Sequence, residues 1–147
     1  MDTPNAFDIL KLENQLCFPL YAASREVTKK YTAHLDELGL TYTQYVTMMV
    51  LWEKKSLNVK ELGECLYLDS GTLTPLLKTM EQKGLITRER STKDERMLIV
   101  SVTKKGMALR ERAVSIPGKV AACVNLTDKE AIELHRLLHK ILGDISD

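Results

Sequence analysis

Three thiols and one short polar helix face hold the residue types able to do chemistry in this chain. Cys17, Cys65 and Cys123 lie far apart, without the close pairing of a zinc site or of a secreted disulfide framework. An isolated thiol is either a small packed hydrophobe or a redox centre. The second role needs thiolate character and a path for the oxidant. Spacing alone puts Cys17 on an apolar stripe and favours packing, and Cys65 reads as a packed structural thiol. His135 and His139 are four residues apart, but nothing is placed to complete a metal site, so with His34 they read as solvated surface residues. Neither a metal nor a cofactor is expected. There is no glycine-rich phosphate loop, and no serine, histidine and acid combination carries positional information. That leaves Thr72, Thr74, Lys78, Thr79 and Gln82. These short polar side chains and one lysine, on one side of a helix, suit a DNA major groove.

The elements that must position this face run from Asn58 to Gly84. Asn58 caps a first helix, with Glu61 three residues on as in a capping box and Leu57 and Leu62 at staple spacing. The turn Tyr67-Leu68-Asp69-Ser70-Gly71 offers side-chain oxygens to cap a second helix, with Ser70 as the expected cap and backbone contact. Pro75 is expected in or near its first turn, where a missing N–H costs little. Leu73, Leu76, Leu77 and Met80 form its buried stripe, and Lys83-Gly84 ends it. Two strand-like runs follow, Leu85 to Arg90 and Met97 to Val102, around the polar loop Ser91 to Arg96. Helix, turn, helix and hairpin in this order make a winged helix-turn-helix. Arg96 is placed to probe a minor groove with Asp94 or Glu95 orienting it, and Arg88 and Arg90 to meet phosphates. The bland alternative is a pair of surface hairpins that touch nothing.

With 147 residues and 44% hydrophobic content, the chain has single-domain length and material for a core. No apolar run reaches membrane-spanning length, and the start lacks the pattern of a signal peptide, so a cytoplasmic location away from membranes is expected. Net charge is only +1. Between Ser70 and Lys93, however, Lys78, Lys83, Arg88, Arg90 and Lys93 stand against Glu81 and Glu89 alone. That local basic surface is compatible with DNA.

Around the reading head, a long helix is expected from about Phe7 to Leu38, kinked or broken by Pro19. A second starts near Thr41, with Gln44 three residues later and Tyr45, Met48, Met49 and Trp52 on its apolar side. Thr103 caps another that runs to about Ile116, where Pro117-Gly118 forces a bend or a new start. Thr127 and Glu130 mark the last. The fold class is therefore mainly α with a small β-hairpin wing. One domain spans 1–147, with a winged core at about 41–102 flanked by terminal helices at about 7–38 and 103–146. The wide apolar stripes of these outer segments need a partner, and a second copy of the chain is the simplest. A two-fold dimer sets two recognition helices one DNA turn apart on a palindromic operator. The alternative is that the outer helices cover the core of a monomer.

Several stretches carry a resemblance: Leu12 to Phe18 with its Asn-Gln-Leu-Cys start, Leu40 to Tyr45, Leu66 to Pro75, Gly84 to Arg88, and Asp94-Glu95-Arg96, with Tyr21 and Tyr31 as isolated matches. Together they resemble the MarR family, and more narrowly its organic-hydroperoxide-sensing, OhrR-like branch. The resemblance covers about Leu12 to Gly118. Pro19 departs from it at a position where a helix former is expected.

The resemblance implies a homodimeric repressor of double-stranded DNA that is not an enzyme and that leaves its operator when the amino-terminal cysteine is oxidised. The matching site residues are Cys17, Tyr31 and Tyr42. Tyrosine hydroxyls lining a helical interface can donate hydrogen bonds to a thiolate, and an apolar pocket favours organic over hydrogen peroxide. With the resemblance added, sensing replaces packing as the expected role of Cys17. Two-cysteine members of the branch imply that Cys123 of the other subunit resolves oxidised Cys17 as a disulfide. In the one-cysteine mode a low-molecular-weight thiol caps it instead. Two rivals stay open: a regulator released by a small aromatic ligand, with Cys17 only packing, and a thiol peroxidase turning over at Cys17.

Overall fold

The computed structural model describes residues 5–146. Two 3₁₀ turns, Ala6–Leu10 and Leu12–Asn14, precede α1 (Cys17–Asp36) and α2 (Tyr42–Lys54). Then come β1 (Ser56–Asn58), α3 (Val59–Leu66), α4 (Ser70–Gln82), β2 (Ile86–Arg90) and β3 (Leu98–Val102). The chain continues as α5 (Lys104–Ala113), α6 (Ile116–Ala121) and α7 (Asp128–Ser146).

The expected long first helix is shorter than its periodicity suggested. It begins only at Cys17, which corrects the reading of Pro19 as a kink. Pro19 is the third residue of α1, so its missing N–H falls among the first-turn groups that have no intrahelical acceptor anyway. Nor does the Gln15 carbonyl lose a helical partner, because Gln15 lies before the helix; its amide donates to the carbonyls of Ile9 and Lys11 at 2.6 and 2.9 Å. A proline six residues into α4 is the opposite case. Pro75 sits inside that helix rather than in its first turn, and removes the N–H that would bond the Gly71 carbonyl.

Three capping boxes form as their spacing predicts. Asn58 Oδ1 accepts from Glu61 N–H at 2.8 Å, Thr41 Oγ1 from Gln44 N–H at 3.3 Å, and Thr127 Oγ1 from Glu130 N–H at 3.2 Å. In each box the acidic or amide side chain returns the bond to the cap backbone. The α3–α4 corner is tight because Tyr67 adopts the left-handed conformation (φ 55°), and Leu68 N–H then reaches the Gly63 carbonyl at 3.0 Å.

The sheet has the order β1-β3-β2, all antiparallel. The hairpin is the expected one, with Arg90 opposite Leu98 and Ile86 opposite Val102. Unforeseen was β1, whose Leu57 pairs with Val100.

Leu35, Met48, Leu51, Leu62, Leu73, Leu77, Met80, Ile86 and Val100 are fully buried, so one core joins the end of α1, α2, α3, α4 and the sheet. Each such side chain contributes about 1.5–3 kcal/mol on leaving water. Met49, expected on the buried side of α2, is exposed. Burial is uneven along the chain. Leu16 (81% exposed), Ile132 (70%), Leu134, Leu137 and Ile141 lie open on the amino-terminal arm and α7, and among the residues whose burial is described none of α7 belongs to the core.

Candidate nucleic-acid interface and thiol site

Helix α4 is capped by Asp69, not by the expected Ser70. Asp69 Oδ1 accepts from Thr72 N–H at 2.8 Å, and that bond holds the carboxyl below its usual range. Ser70 is instead the first helical residue, its carbonyl accepting from Thr74 Oγ1 at 2.8 Å. Leu73, Leu77 and Met80 anchor the helix, which leaves Thr72, Thr74 and Lys78 exposed on the far side. Asp at the cap three residues before Thr72 was the available signal, and the neighbouring serine masked it.

The wing tip is held by its own backbone. Ser91 N–H donates to Met97 O at 2.8 Å, and Met97 N–H to Asp94 O at 2.9 Å. Asp94 Oδ1 accepts both from Arg96 N–H (3.1 Å) and from its Nε (3.3 Å), while the Arg96 side chain stays 92% exposed. A carboxylate that orients an otherwise free guanidinium is the arrangement expected for Arg96. Arg90 Nη1 donates to Glu95 O at 3.1 Å, bracing the loop from within.

Two cations expected on the outer surface are turned elsewhere. Arg88 pairs with Glu81 (Nη2–Oε1 3.2 Å), its side chain is only 20% exposed, and its buried Nε has no partner. Within this chain the guanidinium expected to meet phosphate is held by a carboxylate instead of standing free. The pairing also holds the Glu81 carboxyl below the ordinary range. Lys83 points back to the loop between α1 and α2.

Cys17 is exposed as the first residue of α1, so it is not the packed hydrophobe that its spacing favours. Cys65 is likewise exposed on α3, against the expectation of a packed thiol, and Cys123 is exposed after α6, its Sγ donating to Lys119 O at 3.5 Å. Tyr31 and Tyr42 do come together, edge to face, with ring centroids 5.0 Å apart. Tyr45, assigned by sequence only to the apolar side of α2, is a third member at 5.7 and 6.1 Å from the other two. Its position three residues after Tyr42 was the signal for it. Burial, then the neighbouring Tyr42, pushes the Tyr31 phenol up; burial does the same to Tyr45. The cysteine is not part of this cluster. Cys17 and Tyr31 share α1, and fourteen residues of helix separate them by about 21 Å.

Among the described residues no three His, Cys, Asp or Glu side chains gather as metal ligands, and no helix is long and apolar enough to cross a membrane. His135 and His139 face one another with Nε2 atoms 3.1 Å apart.

A family model described as "Transcriptional regulator SarA/Rot" matches residues 29–112. The organic hydroperoxide resistance transcriptional regulator of Bacillus subtilis (strain 168) is 53% identical over 138 residues, 94% of either chain. Reduced AbfR bound to DNA superposes with a TM-score of 0.76 at 33% identity, covering 94% of this chain and 97% of that one. Disulfide-formed AbfR, a protein of Staphylococcus epidermidis, gives 0.66 at the same identity, covering 94% of each chain.

Proposed function

This chain belongs to the MarR-type transcriptional regulators, in the SarA/Rot family, and from that premise we propose that it represses transcription until an organic hydroperoxide oxidises Cys17. It binds double-stranded DNA through α4 and the wing. Thr72, Thr74 and Lys78 meet the major groove, Ser70 and Arg90 the backbone, and Arg96, oriented by Asp94, the minor groove. Arg88 acts through Glu81 on the geometry of the wing. The protein works in the cytoplasm as a switch that reacts once, not as a peroxidase.

The observation that carries the sensing role is the exposed Cys17 on the open apolar arm, beyond reach of its own tyrosines. A second copy answers both features. Two chains related by a two-fold axis, joined through the amino-terminal arm, α1 and α7, bury the open leucines and isoleucines. They also bring Cys17 of one copy to Tyr31 and Tyr42 of the other. A palindromic operator then matches the paired reading heads.

The chemistry is a two-electron transfer. The Cys17 thiolate attacks the distal peroxide oxygen, the O–O bond breaks, and the alkoxide takes a proton to leave as an alcohol. The sulfenic acid formed then condenses with a second thiol, giving a disulfide and water. Cys123 of the other subunit is the proposed resolving thiol; a small cellular thiol is the alternative. A pairing that pulls helix ends together changes the spacing of the reading heads.

A gel shift on a palindromic operator, reduced against oxidised, with mass spectrometry of Cys17, tests this reading. Release of DNA in step with oxidation of Cys17 is expected. Release while Cys17 stays a thiol would refute the sensing role.

A further inference from the structure

The last turn of the recognition helix is wired to the tyrosine cluster through one ammonium group. Lys83 closes α4, yet its Nζ donates to Gly39 O at 2.8 Å and to Gln44 Oε1 at 2.9 Å, both outside the helix-turn-helix. Gln44 is 4% exposed, and the same Oε1 accepts from Thr41 N–H at 3.1 Å as half of the capping box that starts α2. Between Thr41 and Gln44 stands Tyr42, whose ring meets Tyr31. At the other end, the Lys83 carbonyl accepts from Lys105 Nζ at 2.8 Å, and the Gly84 carbonyl from Thr103 Oγ1 at 2.6 Å. The end of α4 is thus held on one side by α5 and on the other by the start of α2.

We propose that Lys83 is the positioning residue that transmits a change at the Tyr31–Tyr42 cluster to the recognition helix. The inference rests on the thiol-sensing reading. The capping box makes the first turn of α2 a rigid unit, so a displacement of Tyr42 carries Gln44 with it. A charge-assisted hydrogen bond is about twice as strong as a neutral one, so the Lys83 end of α4 follows Gln44. A methionine at 83 keeps the aliphatic stem but donates nothing. A glutamate at 44 keeps the box and gives Lys83 a charged acceptor.

The test is the ratio of operator dissociation constants, oxidised over reduced, in wild type, Lys83→Met and Gln44→Glu, with sulfenic or disulfide-bonded Cys17 counted by mass in each. A wild-type ratio of about tenfold or more is expected, within the usual span of coupling between sites. Lys83→Met should oxidise at Cys17 as wild type does while its ratio falls to within about threefold of one. Gln44→Glu should keep the wild-type ratio. A merely structural lysine would lower stability and reduced-state affinity but leave the ratio alone, so an undiminished ratio in Lys83→Met overturns the proposal. Should that variant not fold, Lys83→Gln, shorter and uncharged, is read by the same criterion. A wild type that holds its operator after Cys17 is oxidised, or never oxidises there, would remove the sensing reading itself and this inference with it.

Discussion

Glu81, in the last turn of the recognition helix, accepts two hydrogen bonds from Arg88 in the middle of β2. One comes from the backbone N–H at 3.1 Å and one from the guanidinium at 3.2 Å. A single carboxylate therefore fixes both the path of the strand leaving α4 and the side chain that follows it. The wing cannot swing without breaking that pair, and in the proposed DNA complex the angle between α4 and the wing decides whether both grooves are met at once.

Glu81→Gln should weaken operator binding severalfold although neither residue needs to touch DNA. Because the folded carboxyl lies below the ordinary glutamate range, its contribution to stability is complete above that range and lost as pH falls through the folded value. Urea midpoints recorded from neutral pH downward should fall less steeply in Glu81→Gln than in wild type. Identical profiles would argue that the pair does not stabilise the fold.

Two glycines sit where backbone approaches too closely for a side chain. A Cβ on Gly63 would lie 2.7 Å from the Leu68 carbonyl oxygen, and one on Gly106 would run into the Leu85 carbonyl oxygen and lie 3.0 Å from Met48 Cε. Gly63→Ala and Gly106→Ala should each cost about 1–3 kcal/mol, as overpacking does elsewhere. Denaturant unfolding measures this directly, and an unchanged midpoint in either variant would mean that the chain yields there.

On DNA, Lys78→Ala and Arg96→Ala should each lower the salt dependence of binding by about one unit of slope if they neutralise a phosphate. An unchanged slope would count against a phosphate role. Arg96→Ala should also remove the ion-pair partner of Asp94 in the free protein while keeping the hydrogen bond from the backbone N–H of residue 96.

At the thiols, Cys17→Ser should bind operator like the reduced wild type and ignore hydroperoxide. Cys123→Ser separates the two fates of the sulfenic acid. If Cys123 resolves it, oxidised wild type runs as a covalent dimer on a non-reducing gel and the variant does not. A persistent monomer band in oxidised wild type would point to a small thiol.

Association should depend on α7. Leu137→Glu with Ile141→Glu puts two carboxylates on its open apolar face, and light scattering should then report a monomer with weak operator affinity. A dimer that survives this change would place the interface elsewhere.

Much of the reading head was written in short-range relations. The capping boxes at Asn58–Glu61, Thr41–Gln44 and Thr127–Glu130 depend on residues three apart. The Leu73, Leu77 and Met80 stripe and the two wing strands need only local period, so neighbours in sequence suffice to specify them. What the chain could not announce alone depends on distant neighbours. Strand β1 is too short for any periodicity and exists because Val100 accepts Leu57 as a partner. Arg88 and Lys83 look like surface cations until Glu81 and Gln44 are placed beside them. Pro19 reads as a kink until the helix is seen to start at Cys17. The separation of Cys17 from Tyr31 is fixed by the rise of one continuous helix; the family resemblance, not spacing, pointed to Cys17 as the sensing group, and the meeting of Cys17 with tyrosines proposed above would have to come from packing between chains.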